Sequence, residues 1–144
     1  MKSYLFNLSL SLLLLVASFS FGQNPTDIQF EKTVQKFKKV DEGHQLKFNY
    51  SFTYSGKEQL NLTHQKVDCS CTEVLLPADQ IESGKTYVVS IKFNTKNKIG
   101  YQEREVILNF TSPSDKTILQ KKLIFKGVVK ASTATKAAYK KNKK

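Results

Sequence analysis

The chain has 144 residues, a formal net charge of +11 and 40% hydrophobic residues, with two cysteines and no tryptophan. Such a length supports one domain with a modest core. Past the N-terminal stretch no segment is long and apolar enough to span a bilayer as a helix, so a soluble product is the expectation.

The first element is a leader. Lys2 supplies one positive charge, an apolar stretch runs from Leu5 to Val16, and the small residues Ser20 and Gly22 stand where a signal peptidase reads. Asn7, Ser9 and Ser11 interrupt the apolar run, so a signal peptide over 1–22, cut between Gly22 and Gln23, is the expected reading; an uncleaved anchor is the alternative. No cysteine follows the cut, which disfavours a lipid-anchored lipoprotein. The mature protein is therefore expected in the periplasm or secreted, where thiols oxidise.

Alternation by twos then dominates. Leu46, Phe48, Tyr50, Phe52 and Tyr54 fall on one parity, with Lys47, Asn49, Ser51 and Thr53 on the other. A helix would scatter those aromatics round its circumference, so the segment predicts a half-buried strand whose aromatic row is core. Ser55-Gly56-Lys57 predicts a turn, with the glycine supplying positive φ. Leu60 and Leu62 resume the alternation, while Val67 is out of phase, predicting a bulge or break near His64-Gln65. Tyr87, Val89, Ile91 and Phe93 form another row, and Arg104, Val106, Leu108 and Phe110 a further one. Toward the end Leu119, Leu123, Phe125 and Val129 share one parity and Ile118, Ile124 and Val128 the other, which predicts a strand covered on both sides. Turn-rich pieces at 41–43, 77–84, 95–100 and 111–116 separate the rows. About seven short strands joined by turns predict an all-β fold, a single immunoglobulin-like antiparallel sandwich over 23–130. An up-and-down barrel is the other architecture to weigh. Leu46, Phe48, Tyr50, Phe52, Val89, Ile91, Val106 and Leu108 are the predicted core.

The final segment, 131–144, carries Lys136, Lys140, Lys141, Lys143 and Lys144 with no acid and only Tyr139 as a large apolar group, so it is expected to be a disordered basic tail. Export removes nucleic acid as a partner and leaves anionic lipid, lipopolysaccharide or acidic glycan, with a purely solvated tail as the other possibility.

The order of Phe37, Glu42-Gly43, the alternating aromatics, Gly56, Leu60-x-Leu62, Cys69-Ser70-Cys71-Thr72, Ser83-Gly84, Phe93-Asn94-Thr95 and Gly100 resembles domain of unknown function 1573. That resemblance covers about 37–110 and implies a one-domain immunoglobulin-like module of exported proteins, common in Bacteroidota, with no established activity. It departs from the family pattern where Ser70 replaces a glycine, where Lys38-Lys39 replaces a glycine-containing pair, and where Ser83-Gly84 replaces Pro-Gly.

The motif Cys69-Ser70-Cys71-Thr72 is the one candidate site. In a regular strand residues two apart have Cα atoms roughly 6.6–6.8 Å apart. A disulfide prefers about 5.5–6 Å, so a bridge needs a turn or bulge. Three chemistries stay open: a structural or inert pair, thiol exchange, and a copper or zinc site in which His64 joins both thiolates, with His44 as a remote fourth ligand. The spacing matches no standard zinc pattern, and no helix start or clear base stands beside the thiols to lower a pKa. No nucleophile elbow, glycine-rich phosphate loop or paired carboxylates stand out, so the expectation is a non-enzyme with no cofactor. The leading functional reading is a non-catalytic binding or structural module of the cell envelope, recognising protein or glycan. A thiol or metal site, and an anchor through the tail lysines to an anionic envelope surface, are the alternatives.

Overall fold

In a computed structural model the chain is described over residues 27–67 and 69–142. The expected leader and its cut at Gly22, together with Lys143 and Lys144, lie outside those residues.

Among the described residues ten strands, rather than the expected seven or so, form two facing sheets. The first sheet contains β1 (Ile28–Phe30), β4 (Gln45–Tyr54), β8 (Lys85–Asn94) and β6 (Thr72–Leu75), in the order β1-β4-β8-β6. The second contains β2 (Val34–Lys36), β10 (Ile118–Lys130), β9 (Gly100–Thr111), β5 (Leu60–His64) and β7 (Gln80–Ile81), in that order, with β3 (Val40–Asp41) also on β10.

The period-two rows set the register. Across β4 and β8, Phe48 faces Ile91, Tyr50 faces Val89 and Phe52 faces Tyr87, so each pairing puts two apolar side chains on the same inner face. On the opposing sheet Val106 faces Leu123. Ring contacts then tie the sheets together: Phe48 stacks on Phe125 at 4.7 Å, Phe93 lies 5.2 Å from Phe125, and Phe52 meets Phe110 edge-on at 5.4 Å. Of the predicted core only Leu46 is half-buried rather than buried, because it sits in the second pair of β4, opposite Phe93 near the end of the ladder.

Several expectations need correction. The sheets are not wholly antiparallel: β2 and β3 run parallel to β10, Val34 opposite Ile124 and Val40 opposite Val129. Three residues, 37–39, stand between these strands where β10 has two, and that bulge swings the Phe37 ring inward against Phe48 and Phe93. Gly56 is not at positive φ. Glycine is needed there for space, since a β-carbon would lie 2.6 Å from Cζ of Tyr54. Of the bulge or break expected near His64-Gln65, the structure has the break: β5 stops at His64, and the chain crosses to the other sheet before β6 starts at Thr72. Nor is β10 covered on both sides. Ile124 and Val128 are half-buried and Ile118 is 58% exposed, because no further layer lies outside that sheet among the described residues.

The tail is also more ordered than its composition implies. Residues Thr133–Lys141 form a helix, α1, whose N-cap Ser132 accepts a hydrogen bond from the Thr135 amide and whose last turn carries Lys140 and Lys141 at the negative end of the helix dipole. Its attachment is distant in sequence. A Glu42 carboxylate oxygen accepts from the Ser132 amide at 3.1 Å and from the Thr135 hydroxyl. No residue of α1 is buried, so the cap and this tether hold it.

Candidate functional site: the disulfide turn and an open sheet edge

The crossing segment 65–71 ends in a tight turn at the cysteine pair. Thr72 N–H donates to Cys69 O at 3.1 Å and Cys71 N–H donates to Cys69 Sγ at 3.2 Å. This folding-back shortens the Cα separation to 5.1 Å, and the two sulfurs are joined in a disulfide. The turn that a bridge requires is therefore present, with Ser70 at its exposed tip. From the bridge the chain passes straight into β6: Cys71 O accepts from Asn94 N–H at 2.8 Å, Thr72 is buried opposite Phe93, and Cys71 packs against the core. The bridge thus fixes where β6 begins and which of its side chains face inward.

The bridge changes the chemistry of the motif. A disulfide sulfur is an electrophile toward a thiolate, and neither a nucleophile nor a metal ligand of the thiolate type. His64 ends β5 on the other sheet, where its Nδ1–H donates to the Gln65 carbonyl at 2.8 Å. His44 is exposed, and its backbone, rather than its ring, is engaged by Thr95. Among the described residues no three His, Cys, Asp or Glu side chains gather as a metal-binding group, so His64, Cys69 and Cys71 are not brought together as ligands.

Beside this turn lies an open edge. β6 pairs with β8 on one side only, and among the described residues nothing pairs with its other side. Glu73 and Leu75 point outward, and Glu73 is bridged to Lys92 at 3.2 Å. Thr72 and Val74 point to the core. A four-residue edge with unpaired amides and carbonyls is where an extended segment can add to a sheet.

At the far pole a cleft of about 810 Å³ lies between the 55–59 and 112–117 turns. Sequence reasoning missed it because its polar residues come from three separated segments. Glu58 accepts from the hydroxyls of Ser112 and Ser114 at 2.7 and 2.8 Å, and Tyr54 O–H donates to the Glu58 carbonyl. Burial, with the carboxylates of Asp27 and Glu58 adding, holds the Tyr54 phenol above its usual range. Asp115 is held below the carboxylate range, first by the Thr117 amide and then by Ser112. Ser112 is itself buried, so these bonds lash the β9–β10 turn to the β4–β5 turn. Among the described residues no helix is long and apolar enough to cross a membrane.

A two-sheet β-sandwich with an unpaired edge and a disulfide-pinned turn is thus the class this chain defines. Residues 28–129 match the family described as "Protein of unknown function (DUF1573)", and the chain belongs to that family. A comparison with the curated proteins gives no match. Among solved structures, the chain is similar to the ASH/PapD-like domain 7 of human CEP192, at 10% identity and TM-score 0.61, over 74% of this chain and 87% of that one. It is similar to WR4, a C. elegans MSP family member, at 10% identity and TM-score 0.50, over 72% and 98%. It is also similar to the YadV chaperone at 13% identity and TM-score 0.54, over 72% of this chain and about half, 52%, of that one. At such identities the likeness concerns the fold alone.

Proposed function

We propose that this domain is a non-catalytic binding module of the cell envelope that holds a protein partner by strand addition at β6. The observation that carries the reading is the open edge itself: among the described residues β6 is paired on one side, and the Cys69–Cys71 bridge fixes the register it presents. Backbone hydrogen bonds along the edge supply affinity, and outward Glu73 and Leu75 supply selectivity. A fold shared with PapD-like and MSP-like domains is compatible with such a role, though fold does not itself determine function. An oxidising compartment, expected from the leader-like N-terminus, would keep the bridge closed.

The test places a photo-crosslinking side chain at Glu73, at Leu75 and, as a control, at Lys122 on the outer face of the second sheet. The expected result is one discrete protein adduct from both edge positions and none from Lys122. Equal adducts from all three positions, or none from the edge, would remove strand addition as the mode of binding.

A further inference from the structure

The pole opposite the Glu58 cleft brings the β8–β9 turn and α1 together. Ile99 in that turn is 50% exposed and Tyr139 on α1 is 69% exposed, and both line one groove of about 320 Å³ with Lys136 and Lys140. Neither side chain sits on a loose end. Asn97 takes φ 57°, Lys98 N–H donates to Thr95 O at 3.1 Å, and the fully buried Thr95 hydroxyl accepts from His44 N–H at 2.9 Å. Glu42 ties the start of α1 to the body through Ser132 and Thr135. The two apolar tips are therefore held outward, Ile99 by the turn built on the buried Thr95 and Tyr139 by the Glu42 carboxylate at the start of its helix.

Their surroundings are cationic. Lys96 and Lys98 belong to the turn that carries Ile99, and Lys136 and Lys140 flank Tyr139. Among the described residues none of these four lysines is paired with a carboxylate. We infer that this pole is a docking site for an anionic lipid bilayer, into whose headgroup layer Ile99 and Tyr139 insert while the lysines engage the phosphates. The combination selects the occupant. A soluble polyanion would satisfy the lysines and leave both apolar tips in water, whereas a bilayer takes the ammonium groups at its surface and the apolar groups just beneath. Tyrosine belongs at that depth, since its ring is apolar and its hydroxyl wet. The lysine stems can lie along the apolar groove with their heads outward. This inference does not depend on strand addition at β6, which lies on a lateral edge of the first sheet.

The test is co-sedimentation of the chain from Gln23 onward, which holds all of the described fold, with vesicles of mixed phosphatidylglycerol and phosphatidylcholine at low salt. Binding is expected to the mixed vesicles and not to phosphatidylcholine alone. Lys136→Gln with Lys140→Gln should weaken it about 25-fold, at about five-fold per lysine. Ile99→Ser with Tyr139→Ser leaves the net charge unchanged and should weaken it by about ten-fold or more. Tyr139→Phe should retain binding, and the melting temperature should be the same in every variant because all four side chains are at the surface. Wild-type affinity in the Ile99/Tyr139 double variant would overturn the inference. So would absence of binding to the anionic vesicles. Binding to soluble polygalacturonate with the same lysine dependence and no dependence on Ile99 or Tyr139 would overturn it in favour of an acidic glycan.

Discussion

Gly127 in β10 lies directly beneath Phe37: a β-carbon on Gly127 would come within 2.5 Å of the Phe37 carbonyl oxygen and 2.6 Å of its ring. The contact exists because the bulge at 37–39 turns Phe37 inward, so a side chain at Gly127 would push on the bulge and on the Phe37 ring, which already packs against Phe48 and Phe93.

Gly127→Ala should therefore destabilise the domain by about 1–3 kcal/mol, the usual range for overpacking. The Phe37→Ala, Gly127→Ala double variant should recover part of the alanine penalty, since the obstructing ring is gone. Urea unfolding of the four proteins in that cycle measures it, and strictly additive losses would show that the two residues do not meet.

The Glu42 tether should respond to acid. Hydrogen bonds from Thr135 first, then from Ser132, hold its carboxyl below the ordinary range. A depressed folded pKa stabilises the attached state above the unfolded value, and that stabilisation disappears as pH falls through the folded value. Amide exchange at Thr135 and Lys136 should accelerate as pH drops below the carboxylate range, beyond what intrinsic exchange explains, and Glu42→Gln should remove the pH dependence. The melting temperature of the sandwich should not change in Glu42→Ala, because α1 buries no residue.

Tyr50 gives the alkaline counterpart. Burial pushes its phenol well above the usual tyrosine range, and its hydroxyl donates to the Ile124 carbonyl across the core at 2.8 Å. A raised pKa makes the folded state favour the protonated phenol, so this contribution is whole below pH of about 10 and is lost as pH rises beyond it. Tyr50→Phe should lower stability at neutral pH by about 0.5–1.5 kcal/mol and flatten the decline above that pH. Unfolding at a series of alkaline pH values decides, and parallel curves for both proteins would contradict the assignment.

The cysteine bridge should be worth little to global stability. So small a ring constrains the unfolded chain weakly, and Cys69→Ser with Cys71→Ser should cost less than about 2 kcal/mol. Alkylation of the native protein should leave its mass unchanged, and alkylation after reduction should modify both cysteines. Amide exchange in β6 should quicken in the double variant while β4 and β8 hold. Loss of all folding would make the pair an essential staple.

The reading of the sequence succeeded where structure is local and repetitive. Phe48, Tyr50 and Phe52 announce an inner face because the strand period is carried by adjacent residues, and the same holds for Val89, Ile91 and Phe93. It failed where partners are remote. Nothing near Thr133 signals that Glu42, some ninety positions earlier, will accept from Ser132, so an alanine- and lysine-rich tail read as unstructured. The parallel pairing of β2 with β10 is likewise invisible, since three residues of β2 carry no period of their own. Cys69 and Cys71 were legible as a pair that needs a turn to bridge. The turn itself depends on the sheet-to-sheet crossing at 65–71, which appeared in the chain only as Val67 falling out of phase.

The parallel course of β2 and β3 beside β10 also determines how the domain answers a pulling force. The described chain starts at the cleft pole, where Ile28 faces Tyr54, and β10 leaves at the other pole beside Asp41. Tension applied through the two ends slides β2 and β3 along β10 in shear. It loads the bonds Ile124 N–H to Thr33 O, Phe37 N–H to Lys126 O and Glu42 N–H to Lys130 O together instead of one after another. Once the short strand β1 has peeled away, this seam acts as a mechanical clamp, and forced rupture is governed by the unfolding rate rather than by equilibrium stability. Single molecules held at Asp27 and Lys130 should break in one high-force event. Molecules held at Asp27 and Ser114, both at the cleft pole, should unzip at lower force.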